Sequence, residues 1–345
     1  MGDLNTGIFE IAGEDTGLDP ERIRNYLDRL KGLAVDTGVP VTFGIFANRK
    51  APDYWRHYFK LANETAAAGG RMFVQVLGKS AGLVLSFETQ MPFDRLPAWC
   101  EVRALPLDQQ EGALRNPEVR RKLIAAAHEQ SSRTSRAVGA EARVTGFADI
   151  YVMDRGLPPY RSIAELAREQ GRDPVEIIID TALAKNLKQF FAQTIANEDP
   201  DTVLEMIRQP RAVATFTDSG AHVSQLMDAS MHSFVLGYWV REQQKLNLEE
   251  AIRMLTFVPA SYWGLTGRGL LRVGWVADVV VFDPVNIEPQ LPEVTYDLPA
   301  GARRLKQKSK GILASVVNGQ VFMRNNQHTG ALSGKLLRNR LVGGT

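Results

Sequence analysis

A carboxylate and an imidazole stand close together where an apolar segment of the chain ends. Residues 213–216 are Val, Ala, Thr and Phe, and they lead into Asp218, Ser219 and His222. In a parallel α/β barrel the catalytic groups project from the carboxyl ends of strands, where a carboxylate binds a metal ion or takes a proton from water. Asp and Ser also form turns, because their short side chains bond the local backbone. A plain turn is therefore the alternative at Asp218.

The composition indicates a globular protein that acts on a small molecule. The chain has 345 residues, 44% hydrophobic and 23% charged, which suits one large and one small domain. A formal net charge of +2, with no long Lys/Arg block, excludes an electrostatic case for nucleic acid or an anionic membrane as partner. Cys100 is the only cysteine, and no 18-residue apolar span or leader is visible. We therefore expect a cytoplasmic protein without an internal disulfide.

Strands alternate with helices along most of the chain. Strands are predicted at residues 7–11, 39–46, 72–77, 143–153 and 213–216. The helices between them begin after the capping residues Asp19, Ser162, Asp173 and Asn247. This order is typical of βαβ units and predicts an α/β fold built on a parallel sheet.

Two segments depart from that pattern. Residues 91–141 mix several prolines with a charged helix and a serine-rich stretch, which suggests a long excursion on the catalytic face, with a disordered segment as the alternative. After about residue 265 the spacing of apolar residues changes from a helical to an alternating pattern, which is typical of strands. Asn318-Gly319, between two apolar runs, predicts a β-hairpin with a tight primed turn. The expected division is an α/β body over residues 1–265 and a β module over residues 266–345.

A series of short motifs lies in the C-terminal half of the chain. They are Asp218-Ser219-Gly220-Ala221-His222, Leu255-Thr256 with Pro259-Ala260, Arg268-Gly269, Gly274 with Ala277-Asp278, Val281-Phe282-Asp283-Pro284, Val317-Asn318-Gly319 and Thr329-Gly330-Ala331. In this order they resemble the amidohydrolase superfamily, and within it the N-acyl-D-amino-acid deacylases, or D-aminoacylases. The resemblance implies a distorted (β/α)8 TIM-type barrel, a β-sandwich built from both chain ends, and zinc-dependent hydrolysis of an amide C–N bond.

The resemblance also gives roles to residues in this chain. Asp218 matches the carboxylate at the end of the last barrel strand, which implies that it is both the catalytic residue and a metal ligand. Such a carboxylate accepts a proton from metal-bound water and passes it to the leaving amine. Ser219 and His222 are then placed near the substrate, although His222 is equally suited to capping a helix.

The histidines that this superfamily uses as metal ligands are missing. The chain has five histidines and none forms a His-x-His pair. The strands matched to the fifth and sixth barrel strands, at residues 39–47 and 72–79, contain no histidine either. Gln75 and Lys79 stand on the sixth strand instead, where we predict contacts with the substrate. The alternatives are a Gln75 that satisfies its neighbours, and a Lys79 that is a metal ligand in modified form or lies on the surface.

Two explanations compete for the missing ligands. The first is a partial barrel, about strands 4–8, whose earlier strands belong to a missing N-terminal portion or are supplied by a partner chain, such as a second copy. The second is a protein that has lost its metal and serves as a binding subunit. Residues 224–233 also lack the Pro-Arg pair that D-aminoacylases use near the substrate carboxylate, which leaves other N-acyl amides, or the cyclic amides of a related hydrolase, as small-molecule substrates.

Overall fold

The computed structural model describes residues 1–2, 6–14, 16–17, 19–129, 146–217, 219–226 and 228–337. Its strands up to the C-terminal module are β1 (Phe9–Glu10), β2 (Val41–Ile45), β3 (Met72–Val76), β4 (Ala81–Leu85), β5 (Ile150–Met153), β6 (Arg161–Ser162), β7 (Phe190–Ala196) and β8 (Ala212–Val213). The module adds β9 (Val279–Phe282), β10 (Glu288–Pro289), β11 (Glu293–Thr295), β12 (Arg304–Lys306), β13 (Ser309–Lys310), β14 (Ile312–Val317), β15 (Gln320–Arg324) and β16 (Gln327–His328).

The helices lie between these strands and fall into two groups. Those before β7 are α1 (Pro20–Thr37), α2 (Trp55–Ala67), α3 (Pro97–Arg103), α4 (Leu107–Arg115), α5 (Pro117–Glu129), α6 (Ile163–Gln170) and α7 (Pro174–Leu183). The later ones are α8 (Pro200–Ile207), α9 (Met231–Phe234), a π-helix (Val235–Glu242), α10 (Leu248–Leu255) and α11 (Phe257–Tyr262). None of these described helices has both the length and the apolar character that a membrane span requires.

The α/β class predicted from the sequence is confirmed, and four of the strands form a parallel sheet. The strand order is β1, β2, β3, β8, and each neighbouring pair is parallel. Residues on one face of β2 and β3, such as Phe43 and Val74, share a hydrophobic core with Ala34 of α1 and Phe59 of α2. Since side chains alternate along a strand, the opposite face presents a different set, among them Gln75.

Local signals set the helix ends as predicted. Asp19 accepts hydrogen bonds from two backbone amides at the start of α1, and Gly38 ends that helix in the left-handed conformation. Ser162 and Glu165 form a reciprocal capping box at α6, and Asp173 caps α7. These caps satisfy amide groups that the first turn of a helix leaves without partners.

A second, antiparallel sheet is inserted between β3 and β8, in the order β4, β7, β5, β6. It packs on helices α3 to α7 around the buried ring of Trp99, whose indole N–H donates to the Leu123 carbonyl at 2.9 Å. The strand expected near residues 143–153 is β5, and it belongs to this sheet and not to the parallel one. The predicted excursion at residues 91–141 lies between β4 and β5, and its residues 130–141 are outside the described part of the chain.

The C-terminal β module is built on the predicted hairpin. β14 and β15 pair across Asn318 and Gly319, whose φ angles of 49° and 79° are those of a primed turn. With β9 and β16 they form an antiparallel sheet in the order β16, β15, β14, β9. The module meets the inserted sheet at Gly156, where a Cβ atom would lie 1.6 Å from the Pro289 carbonyl oxygen.

Candidate functional site

Lys79 lies just beyond the carboxyl end of β3, and two other elements fix the backbone there. The indole N–H of Trp239, in the π-helix, donates to the Gly78 carbonyl at 2.8 Å. The Asn197 side-chain amide donates to the Lys79 carbonyl at 3.2 Å. The direction of the Lys79 side chain is therefore set by elements that are distant in the sequence.

Asn197 connects the ends of three strands. It follows β7 and has a φ of 55°, a left-handed conformation that Asn tolerates better than most residues. The side-chain oxygen of Asn197 accepts a hydrogen bond from the backbone amide of Ala47 at 2.7 Å. The backbone amide of Asn197 donates to the Ala47 carbonyl at 2.9 Å. Asn197 thus holds the loops after β2 and β3 against the inserted sheet.

Lys79 forms a buried ion pair with Asp228. Its ammonium nitrogen lies 3.2 Å from Asp228 Oδ1, and the exposed fractions of the two side chains are 17% and 5%. The same nitrogen is 5.9 Å from the ring centroid of Phe234, within the range of a cation–π contact. Lys79 is therefore not a surface lysine, and that alternative for it is wrong.

This ion pair forms part of the wall of a cavity of about 310 Å³ that lies against the inserted sheet, just beyond the end of β3. Three groups of residues contribute most of the remaining lining. The inserted sheet contributes Val84, Tyr151, Met153, Ala192 and Thr194; the π-helix region contributes Phe234, Tyr238 and Trp239; and the surrounding loops contribute Ser80, Pro158, Pro159, Tyr160, Glu198 and Gln307. The lining is largely apolar and aromatic with few charges, as is usual for small-molecule sites.

The tyrosines of the cavity are neutral at physiological pH. Burial raises the pKa of Tyr160 and of Tyr238 above the ordinary value for a phenol. Burial likewise raises the pKa of Tyr151. Each hydroxyl keeps its proton, so these side chains offer hydrogen-bond donors without charge.

Gln75 lies in a different environment on β3. Its amide nitrogen donates to Glu10 at 2.7 Å, and its oxygen accepts from the Thr215 hydroxyl at 3.3 Å. The residue is buried, and these bonds tie the edge strand β1 to the segment after β8. Gln75 is occupied by its neighbours, and its contact with a substrate stays a prediction.

The segment after β8 carries the remaining predicted site residues. Asp218 lies outside the described residues. Ser219 and His222 are both exposed. The backbone carbonyl of His222 accepts a hydrogen bond from the Gln225 amide at 2.7 Å, and His222 has a φ of 44°. Neither residue lines the cavity, and their predicted substrate contacts remain untested.

The described residues do not provide a ligand set for the zinc ion that the resemblance implies. In that part of the chain no three His, Cys, Asp or Glu side chains are grouped so that they could hold a metal ion. A zinc site uses at least three such protein ligands. Two of the histidines make other contacts: His128 pairs with Asp173 at 2.6 Å, and His328 accepts from the Gly330 amide.

Sequence reasoning singled out Lys79, whose contact with a substrate stays a prediction, and did not name Asp228, Asn197 or Trp239. Asp228 carries no local signal, because its partner is remote in the chain. Asn197 had one usable signal, since it is a polar residue directly after an apolar strand, the same pattern that pointed to Asp218.

Comparisons with known proteins identify the family of the chain. A sequence model of the amidohydrolase family matches residues 6–323. An N-acyl-D-aspartate deacylase of Alcaligenes xylosoxydans xylosoxydans is 43% identical over 97 residues, which cover 28% of this chain and 18% of that protein. The D-aminoacylase of the same organism is 26% identical over 179 residues, covering 51% of this chain and 34% of that protein.

A solved structure has a similar fold. It comes from a study of the binuclear metal center in D-aminoacylase, and it matches with a TM-score of 0.51 at 17% identity. The match covers 97% of this chain and 56% of that one. The chain thus spans about half the length of the solved relative, and a smaller share of the two Alcaligenes proteins.

Proposed function

Because this chain belongs to the amidohydrolase family, we propose that it acts as a deacylase-like hydrolase, which splits a non-peptide amide bond and releases an acyl group from an amine. The deacylase names of two relatives support the choice of amide over other bonds. The match extends through both sheets and most of the β module, so the proposal concerns nearly the whole described chain.

The observation that carries this proposal is the cavity beyond the carboxyl end of β3. Enzymes with parallel α/β sheets bind their substrates at that end of the strands. The volume of about 310 Å³ suits a small N-acylated compound. Its apolar wall is positioned to hold a hydrocarbon group, and the tyrosine hydroxyls offer hydrogen bonds to the amide.

Asp218 supplies the reacting carboxylate in this proposal. It follows β8 in the sequence, and β8 is the neighbour of β3 in the parallel sheet. A carboxylate at that position takes a proton from the attacking water and gives it to the departing amine. The roles of Lys79 and the cavity wall are to bind the substrate and exclude bulk water.

The parallel sheet also supports a proposal about the kind of α/β fold to which this chain belongs. We propose that β1, β2, β3 and β8 belong to an incomplete (β/α)8 barrel, and that the sheet of the C-terminal module belongs to a β-sandwich. β1 is a two-residue edge strand with one neighbour. Since open edges favour pairing with another chain, a second copy is the partner that we propose for it.

Narrowing the cavity tests whether it is the substrate site. Ala192 lines the cavity, and Ala192→Leu would fill part of it. With N-acetylated amides as substrates and free amine as the readout, we expect kcat/KM to fall by at least about tenfold. Ala164→Leu, on the half-buried surface of α6, is the matched control and should keep the parent value.

Melting curves of both variants separate loss of activity from loss of fold. A folded Ala192→Leu variant with the parent kcat/KM would contradict the assignment of the cavity. Absence of amine release by the parent chain would contradict the hydrolase proposal itself.

A further inference from the structure

The charged residues that line the described part of the cavity are unevenly matched in sign. Among its described lining residues Lys79 is the one cation, whereas Asp228 and Glu198 are both anions. The Lys79 ammonium is already paired with Asp228 at 3.2 Å. The lining therefore carries a net charge of −1, and its single positive charge is engaged.

This balance decides which ligand charge the cavity tolerates. A carboxylate that leaves water needs a cation or several donors to replace its hydration, and a nearby anion raises the cost further. Here a ligand carboxylate would have to compete with Asp228 for Lys79 while facing Glu198. No arginine occurs in residues 224–233, the segment that contains Asp228.

An uncharged ligand meets no such obstacle. The apolar side chains of Val84, Met153 and Phe234 can cover a hydrocarbon group. Tyr160 and Tyr238 are phenols that keep their protons at neutral pH, and burial raises the pKa of each further, so they serve as neutral donors. A π-helix forms one wall, and π-helical turns are frequent at functional sites.

We propose that the cavity binds uncharged N-acyl amides and discriminates against N-acyl amino acids that carry a free carboxylate. The inference rests on the proposed function, because it takes this cavity as the amide-binding site. It names the substrate class: an acylated amine whose remaining groups are neutral and largely apolar. The Lys79–Asp228 pair is then a specificity determinant, since it neutralises the cation that a carboxylate would need.

Two probes that differ in one charged group test this proposal. Binding of N-acetylphenylalaninamide and of N-acetylphenylalanine, each as both enantiomers, is measured by calorimetry on the purified chain. We expect the neutral amide to bind at least about tenfold more tightly than the free acid. Equal or tighter binding of the acid, or binding of neither probe, would overturn the proposal.

A substitution that frees Lys79 should reduce the preference. In Asp228→Asn the ammonium keeps a polar neighbour but loses its counter-charge, so affinity for the acid should rise by about tenfold or more. Asp53→Asn removes the same charge from an exposed pair with Arg56 and should leave both affinities unchanged. If Asp228→Asn does not fold, Glu198→Gln provides the same reduction in negative charge, and unchanged acid affinity in the folded variant would contradict the proposal.

Binding and hydrolysis test the two proposals separately. Preference for the neutral probe without any amine release would keep this inference and reject the proposed hydrolase. Release of amine mainly from the free acid would keep the hydrolase and reject this inference.

Discussion

Lys79 and Asp228 show how much one residue depends on its partner at the edge of this cavity. Both side chains are nearly removed from water, at 17% and 5% exposure, so each relies on the other for compensation of its charge. Attraction within such a pair is offset by the free energy of dehydrating both ions. The intact pair therefore adds little net stability, whereas removal of one member leaves the other as an uncompensated buried charge.

Lys79→Met should destabilise the fold strongly, because it leaves Asp228 buried without a counter-ion. The expected loss is about 3–5 kcal/mol in the free energy of unfolding, measured by urea titration. Lys60→Met removes a lysine from the exposed pair with Glu64 and should change stability by less than about 1 kcal/mol. Similar losses in the two variants would show that the Lys79 pair is not effectively buried.

Asn197→Ala should cost about 2–3 kcal/mol, because two side-chain hydrogen bonds disappear and an alanine must adopt a φ of 55°. Asn186 also has a positive φ, 51°, but it is exposed. Asn186→Ala therefore reports the backbone strain alone and should cost about 1 kcal/mol. Thermal unfolding of both variants measures the difference, and equal losses would remove Asn197 from its connecting role.

At the scale of elements, the sequence predicts what local chemistry controls. The caps at Asp19, Ser162 and Asp173, and the hairpin at Asn318, lie where their residue types indicate, because each motif satisfies backbone groups a few residues away. The antiparallel orientation of β5 in the inserted sheet could not be predicted, because it depends on pairing with β7, which is distant in the chain. The Lys79–Asp228 pair was out of reach for the same reason.

Gly44→Ala should disturb the contact between β2 and the segment after β8. A Cβ atom at Gly44 would lie 2.4 Å from the Phe216 ring, so the ring must move, at a cost of about 1–3 kcal/mol. Phe216→Leu in the same chain should restore part of this loss, and the double-mutant cycle by thermal unfolding measures the coupling. Additive effects would contradict the contact. Gly32→Ala, within α1 with its nearest atom at 3.6 Å, is the control and should be neutral or stabilising.

At the scale of the molecule, the parallel sheet, the inserted sheet and the C-terminal module converge on the loop after Asp218. The Val84 amide donates to the Gln225 carbonyl at 2.7 Å, and the Leu305 amide donates to the Val223 carbonyl at 2.8 Å. Both contacts anchor the loop, one from each neighbouring part. The order of the parts along the chain could be predicted from the sequence, but their docking could not, because it rests on backbone contacts between remote segments.

Gly156→Ala should loosen the C-terminal module from the inserted sheet. The added methyl group would overlap the Pro289 carbonyl oxygen at 1.6 Å. Backbone atoms cannot move aside as easily as the end of a flexible side chain. We expect a lower melting temperature and faster proteolytic cleavage between the two parts. Gly112→Ala, in α4 with no atom within 4 Å, should not show either effect, and parent-like behaviour of Gly156→Ala would contradict the close contact.

We propose amide hydrolysis by this chain, with Asp218 as the reacting carboxylate. The most direct measurement is release of free amine from N-acetylphenylalaninamide by the parent, by Asp218→Asn and by Asp201→Asn, an exposed control on α8. We predict that Asp218→Asn lowers kcat/KM by at least about a hundredfold with an unchanged melting curve, whereas Asp201→Asn keeps the parent value. Activity of Asp218→Asn within about tenfold of the parent would contradict the claim.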